Sequence, residues 1–148
     1  MATALATESA EVRGEATADG PIVFYDGDCG LCARSVQFVL RHDKKHLFRF
    51  AALQGETAAK LIGSPVGKPD AWSFVLLDNT GVYNRSTGAL KILQTLKWGG
   101  FLPGLGLLVP LIIRDSVYRL VGKFRYRVWG KADRCPLPSA AQASRFMP

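Results

Sequence analysis

The chain has few cysteines, no long apolar run and no basic or apolar segment at its start. Three cysteines among 148 residues cannot form the even-numbered framework of a small secreted domain, although one pair plus a leftover thiol fits the count. The most apolar stretch, residues 101–113, is interrupted by prolines and glycines and is shorter than the roughly 20 residues of a spanning helix. Residues 1–20 lack the pattern of a secretory signal, so we expect a soluble, cytoplasmic protein.

The composition is that of an ordinary folded domain. Hydrophobic residues make up 48% of the chain and charged residues 21%, which excludes a wholly disordered protein. The length suits a single core. The net charge of +7 permits contact with nucleic acid or anionic lipid but requires neither.

The first third of the sequence predicts a strand, a helix and a second strand. Residues 22–25 form a continuous β-branched and aromatic run, which is typical of a buried strand, and residues 47–52 form another apolar run. Between them, Asp28 is placed to cap a helix. The apolar residues of that helix recur on one face, and they are Cys32, Val36, Val39 and Leu40. A helical connection between two strands favours a parallel pair.

The following elements predict a mixed sheet. Residues 57–62 favour a short helix, and residues 73–77 and 82–85 flank a polar loop that ends in glycine, which indicates a β-hairpin. A further helix, capped by Ser86, is expected over residues 87–96. The order β-α-β-α-β-β-α predicts an α/β fold in which a parallel pair is joined to an antiparallel one.

The most informative motif is C-G-L-C at residues 29–32, between the first strand and the first helix. Two residues between cysteines in the first helical turn bring the sulfurs close enough to form a disulfide, and the helix N-terminus favours a thiolate. Cys29 is then the attacking thiol and Cys32 the resolving thiol. Asp26 and Asp28 add negative charge, which opposes thiolate formation and predicts a reductant or slow exchanger rather than a strong oxidant. In a second role, Asp26 accepts the proton of Cys32 during resolution.

Paired cysteines can also bind zinc. Cys29 and Cys32 would supply two ligands of a zinc site, Cys135 the third, and His42, His46 or an aspartate the fourth. However, no second C-x-x-C or histidine pair occurs at a familiar spacing. A non-catalytic metal- or partner-binding module is therefore the alternative to an enzyme. Outside such a site, Cys135 is expected to be a solitary thiol, and a role as an additional resolving thiol stays open.

The strand followed by Asp26-x-Asp28 also fits the start of haloacid-dehalogenase-type phosphatases, which use two such aspartates next to Mg²⁺. That chemistry needs a later strand that ends in Ser or Thr and an acidic pair further on. Residues 74–77 lead into Asp78 instead, and no Asp-Asp pair follows. The sequence disfavours a phosphatase.

Cations are concentrated near the C-terminus. Residues 114–134 contain seven Lys and Arg against two Asp. We expect a helix here with a solvated basic side, with Tyr118, Tyr126 and Trp129 packed inward, and with no nucleic-acid partner. The helix also carries an apolar stripe that comprises Val117, Val121, Phe124 and Val128. Residues 101–113 are expected to form a packed loop and short helix. Peripheral membrane contact through residues 101–113 and the basic helix is the alternative.

The pattern Asp26-x-x-Cys29-x-x-Cys32 resembles the DCC family of predicted thiol-disulfide oxidoreductases, which is named after these three residues. The similarity extends over residues 48–54 and 86–90. It also includes a C-terminal block consisting of Tyr118, Arg125, Tyr126, Gly130, Asp133 and Cys135. The resemblance implies a thioredoxin-like fold and reduction or exchange of protein disulfides. It assigns Cys29 and Cys32 as the redox pair and Asp26 as the third site residue. We expect protein or small-molecule disulfides as substrates and no bound organic cofactor.

We therefore predict a thioredoxin-like domain over residues 21–136 that includes an appended C-terminal helical region. A flexible leader (residues 1–20) precedes it and a mobile tail (residues 137–148) follows. Thioredoxins place a cis-proline directly before the third strand, whereas three residues separate Pro69 from Ser73 here. The geometry of substrate binding is expected to differ accordingly.

Overall fold

A computed structural model describes residues 11–63, 74–130 and 139–148. Helix α1 covers residues 11–16. The elements that follow, in chain order, are β1 (Ile22–Tyr25), α2 (Gly30–His42), β2 (Arg49–Ala52), α3 (Glu56–Leu61), β3 (Phe74–Asp78), β4 (Gly81–Asn84), α4 (Arg85–Thr95), α5 (Leu102–Leu108), α6 (Leu111–Val128), α7 (Ala140–Ala143) and β5 (Phe146–Met147). The predicted order of strands and helices is confirmed, as is the appended helical region.

The five strands form one mixed sheet in the order β4-β3-β1-β2-β5. β1 and β2 are parallel and are connected through α2, while β3 is antiparallel to both β1 and β4. The turn between β3 and β4 is held by Asp78, whose Oδ1 accepts hydrogen bonds from the N–H groups of Thr80 and Gly81. A parallel β-α-β unit beside an antiparallel hairpin is consistent with the predicted thioredoxin-like fold.

The central strand β1 is buried on both faces of the sheet. Ile22 and Phe24 pack in the cluster that includes α3, whereas Val23 and Tyr25 pack in the cluster that includes α2. Because neighbouring side chains of a strand point to opposite faces, a strand covered on both sides needs apolar residues at every position. This burial fixes the end of β1, from which the C-x-x-C motif begins.

Two predicted helix caps are wrong. Cys29, one residue later than the expected Asp28, is the N-cap of α2, and Asp28 is exposed. Asn84 rather than Ser86 precedes α4. Ser86 lies inside the helix, where its Oγ donates a hydrogen bond to Oδ1 of Asp115 at 2.6 Å. The Ser86 hydroxyl, which we expected to cap the helix backbone, thus bonds to Asp115 of α6 instead.

The C-terminal helices lie on the fold differently from the prediction. The expected short helix in residues 101–113 is present as α5, but Pro103 is its only buried residue. In α6 the buried residues are Gly122 and Arg125. The aromatic residues Tyr118, Tyr126 and Trp129 are half-buried. The apolar stripe is 40–64% exposed and faces away from the fold, and it comprises Val117, Val121, Phe124 and Val128.

The described part of the predicted tail is attached to the sheet. β5 pairs with β2 in parallel, and the ring of Phe146 stacks on Phe50 with 5.3 Å between centroids. Arg145 is buried and forms an ion pair with the buried Asp43. At the other terminus, Nε of Arg13 donates a hydrogen bond to the carbonyl oxygen of Leu61 at 2.8 Å. Residues 139–148 therefore extend the sheet, and α1 is bonded to α3.

Candidate active site

The two cysteines of the motif lie at the start of α2. Cys29 has an extended backbone (φ −101°, ψ 122°), its N–H donates to the carbonyl of Asp26 at 3.3 Å, and its own carbonyl accepts from the N–H of Ala33 at 3.0 Å. Cys32 lies in the first turn of the helix. Neither Cys29 nor Cys32 is part of a disulfide bond. The end of β1 and the first turn of α2 therefore bring the predicted pair together at a helix N-terminus.

Both thiols are buried, with Cys29 0% and Cys32 4% exposed. Burial raises the pKa of Cys32 to about 12, and the neighbouring Cys29 raises it further through charge and through a hydrogen bond between the side chains. Cys32 therefore keeps its proton at neutral pH. Because the two side chains interact, the charge on the Cys29 sulfur changes the pKa of Cys32.

Asp26 is the centre of a hydrogen-bonded cluster beneath the cysteines. Its Oδ2 accepts from the hydroxyl of Tyr126 at 2.9 Å and from Nη2 of Arg125 at 3.3 Å. Its Oδ1 accepts from Nε2 of Gln54 and from the N–H of Asp28, both at 3.0 Å. Arg125 is 1% exposed, so the carboxylate and the guanidinium form a buried ion pair.

Arg125 changes the electrostatic expectation for the motif. Burial lowers the pKa of Arg125, but the surrounding Tyr126, Cys29, Cys32 and Asp26 outweigh it and raise that pKa overall. The positive charge of Arg125 also acts to lower the pKa of Cys32, but burial has the larger effect and the pKa is raised overall. The repulsion that we expected from Asp26 is therefore compensated by a neighbouring cation.

Tyr126 is the third member of this cluster. Burial raises the pKa of its hydroxyl to about 12, and the hydrogen bond to Asp26 acts in the same direction. The hydroxyl therefore stays protonated and donates to the carboxylate. The sequence signal for both α6 residues is the Arg-Tyr pair in the C-terminal block of the family resemblance, whereas helical periodicity assigned Arg125 to solvent.

The backbone that follows α6 covers the start of α2. The N–H of Gly30 donates to the carbonyl of Gly130 at 3.3 Å. A Cβ at Gly30 would lie only 2.6 Å from the carbonyl oxygen of Trp129. Gly130 itself has a φ of +70°, which glycine adopts without strain. This close approach explains why the motif has glycine between its cysteines.

An apolar cavity adjoins the motif on the side of Cys32. It has a volume of about 390 Å³ and lies between α2, α4 and α6. Its lining includes Leu31, Phe38, Ile92 and Trp129 beside Cys32. A cavity of this size is large enough for a small ligand or a pair of side chains.

The other predicted ligand residues do not join the pair in the part of the chain that is described. His42 ends α2, roughly 15 Å along the helix axis from Cys32. His46 lies beside Arg145, with Nδ1 3.3 Å from Nη1. Within residues 11–63, 74–130 and 139–148, no group of three or more His, Cys, Asp or Glu side chains is arranged to hold a metal ion. Cys135 and Pro69 lie outside the described residues.

Comparison with known proteins identifies relatives over most of the chain. The family profile described as DCC1-like thiol-disulfide oxidoreductase matches residues 23–131. The uncharacterized protein YuxK of Bacillus subtilis (strain 168) is 38% identical over 130 residues, covering 86% of this chain and 93% of its own length. The DCC family protein At1g52590, chloroplastic, of Arabidopsis thaliana is 37% identical over 121 residues, covering 79% of this chain and 69% of its own. No solved structure matches.

Proposed function

From the premise that the chain belongs to the DCC1-like thiol-disulfide oxidoreductase family, we propose that it exchanges disulfides through Cys29 and Cys32. The observation that carries the proposal is the position of both thiols at the start of α2, above the buried Asp26–Arg125 ion pair. A helix N-terminus and an adjacent cation both favour a thiolate.

The geometry favours Cys29 as the attacking thiol. Cys29 is the N-cap residue, next to the backbone N–H groups of the first turn, which have no partner within the helix. Cys32 lies further inside the helix, where burial keeps its pKa at about 12. A thiol with so high a pKa attacks slowly from solution, but it can act once a mixed disulfide is held beside it.

The proposed reaction transfers two electrons. The Cys29 thiolate attacks one sulfur of a substrate disulfide, forming a mixed disulfide and releasing the first substrate thiolate. Cys32 then attacks the Cys29 sulfur while its proton passes to the departing substrate sulfur, so that the second substrate thiol is released and a Cys29–Cys32 disulfide remains. A dithiol reductant returns the pair to the reduced state.

Asp26 and Arg125 have a positioning and electrostatic role in these steps. Both carboxylate oxygens of Asp26 accept hydrogen bonds, so accepting the Cys32 proton would require one of those bonds to be exchanged. We therefore assign Asp26 to holding Arg125 beside the thiols. Since Cys29 is fully buried, a protein substrate also requires a local movement that exposes its sulfur.

Insulin reduction driven by a dithiol tests the proposal. Wild-type protein is expected to accelerate the reaction, and Cys29→Ser is expected to return it to the uncatalysed rate. Cys32→Ser should also be inactive but should accumulate a mixed disulfide with the substrate, which is detected by mass spectrometry.

The third cysteine provides a matched control. Cys135→Ser removes a thiol outside the proposed pair and is expected to retain wild-type activity. Equal rates for wild type and Cys29→Ser would exclude the proposed reaction. If Cys29→Ser traps substrate on Cys32 while Cys32→Ser traps none, the assigned roles are reversed.

A further inference from the structure

Helices α5 and α6 expose a large apolar surface. Phe101, Leu108 and Ile112 are 75–79% exposed, far more than isolated surface hydrophobics need to be. On α6 the exposed apolar side chains continue along one face and include Ile113, Val117, Leu120, Phe124 and Val128. We call these eight residues the apolar face. A concentration of exposed apolar side chains of this kind on two consecutive helices marks a site of interaction.

A basic row runs beside the apolar face along α6. Arg119, Lys123 and Arg127 follow one another at intervals of four residues, so they lie on one side of the helix, and all three are exposed. Asp115 is the only acid between residues 96 and 130. It is engaged by Ser86 and by Arg85, whose Nη1 lies 3.7 Å away.

Helix α6 therefore has three distinct faces. Gly122 and Arg125 face the fold, the apolar face is turned outward, and the basic row separates the two on one side. The cation that faces inward, Arg125, is paired with Asp26, so the charge available to a partner is that of the basic row. A helix with adjacent apolar and basic faces suits the boundary between lipid headgroups and acyl chains.

We propose that the apolar face and the basic row dock the protein on an anionic membrane surface. Apolar side chains enter the headgroup boundary, while Arg119, Lys123 and Arg127 contact lipid phosphates. Among the described residues no helix is long and apolar enough to cross a bilayer, so α5 and α6 lie along the surface.

A second copy of this chain fits the surface less well. A two-fold contact over the apolar face brings the basic rows of both copies to the same interface, where like charges repel. An anionic bilayer offers an apolar interior together with charge of the opposite sign. Charge complementarity therefore favours lipid over self-association.

Co-sedimentation with lipid vesicles tests the proposal. The full chain is expected to bind vesicles of phosphatidylcholine mixed with phosphatidylglycerol, and to bind vesicles of phosphatidylcholine alone much more weakly. The double variant Lys123→Ala/Arg127→Ala should weaken binding to the anionic vesicles by roughly 20- to 30-fold. Added salt should weaken wild-type binding in the same direction.

A second double variant tests the apolar contribution. Leu120→Ser/Phe124→Ser should weaken binding to anionic vesicles by roughly tenfold or more. Lys44→Ala and Val82→Ser are matched controls, because both residues are exposed and lie outside the apolar face and the basic row. They should bind like wild type. All variants should reduce insulin at the wild-type rate, so this test is independent of the redox proposal.

Several results would overturn the proposal. It fails if wild type does not sediment with anionic vesicles, or if both double variants bind as tightly as the controls. It also fails if sedimentation velocity shows a wild-type dimer that Leu120→Ser/Phe124→Ser dissociates while vesicle binding is absent. The last result would assign the face to a second copy of the chain.

Discussion

At the scale of single residues, Arg125 brings a positive charge beside the two cysteines of the motif. Its sequence neighbours suggested a solvated basic helix, yet its guanidinium is buried and lies 3.3 Å from Oδ2 of Asp26, 99 residues earlier in the chain. A buried arginine is tolerated when a carboxylate pairs with it. The negative charge that the motif gives to the site is thereby compensated.

The ion pair makes a prediction about stability. Arg125→Met should lower the free energy of unfolding of the reduced protein by about 3–5 kcal/mol, because it leaves the Asp26 carboxylate buried without its counter-ion. Urea denaturation measures this loss. Arg127→Met, on the exposed side of the same helix, should change stability by less than about 0.5 kcal/mol.

A double variant distinguishes the effect of an unpaired charge from the effect of lost side-chain packing. Asp26→Asn/Arg125→Met removes both charges and should recover a large part of the stability that Arg125→Met loses. Equal losses for Arg125→Met and Arg127→Met would contradict the burial of this ion pair.

At the scale of elements, the start of α2 and the end of α6 form one unit. The Gly30 N–H is bonded to the carbonyl of Gly130, and the Trp129 carbonyl lies where a Gly30 side chain would begin. This contact lies next to the buried Cys29 in the sequence. Helix α6 thus supplies the buried cation of the site, and the residues that follow it contact the start of α2.

Gly30→Ala should disrupt the contact between the start of α2 and the backbone of residues 129–130. The new Cβ would lie 2.6 Å from the Trp129 carbonyl oxygen, so the backbone at residues 129–130 has to move. We expect a loss of about 1–3 kcal/mol in stability and faster alkylation of Cys29 by iodoacetamide in the folded protein. Urea denaturation and mass spectrometry measure the two effects.

Gly14→Ala is the matched control for this variant. Gly14 lies in α1 and has open space around its Cα, so alanine should raise stability by up to about 1 kcal/mol through helix propensity. Its alkylation rate should be that of wild type. If Gly30→Ala behaves like Gly14→Ala in both measurements, residues 129–130 do not restrict access to Cys29.

At the scale of the whole molecule, the C-terminal strand completes the sheet. Asp43 accepts hydrogen bonds from the N–H groups of Leu47 and Phe48 at 3.0 and 2.9 Å, and it pairs with Arg145. Nε of Arg145 also donates to the Phe48 carbonyl at 3.0 Å. One buried ion pair therefore connects the turn before β2 to the strand β5 at its edge.

Arg145→Ala tests this connection. Removing the guanidinium leaves Asp43 buried without its cation, so we expect a loss of about 3–5 kcal/mol in the free energy of unfolding. Hydrogen exchange should also become faster at the β2 amides bonded to β5. Arg41→Ala, an exposed cation at the end of α2, should stay within about 0.5 kcal/mol of wild type. Wild-type stability in Arg145→Ala would contradict the role of this ion pair.

Local patterns were sufficient for strands β1 to β4, though not for β5, and for the C-x-x-C motif. The continuous apolar run of β1, the periodic face of α2 and the hairpin of β3 and β4 each depend on neighbours in sequence, so they could be predicted. The similarity around Cys29 and Cys32 likewise led to the correct family. The placement of α6 could not be predicted in this way, because its apolar periodicity indicates an amphipathic helix but not which side meets the fold.

The small number of cysteines and their C-x-x-C spacing were determined by the sequence alone, as were the order of the elements from β1 to α4 and the excess of cations near the C-terminus. Only the tertiary structure decided which cation serves the site. Pairing of Arg125 with Asp26 fixes the rotation of α6, and that rotation turns the apolar face outward. The physical reason is that a carboxylate left alone in the interior costs more free energy than an apolar stripe left in water.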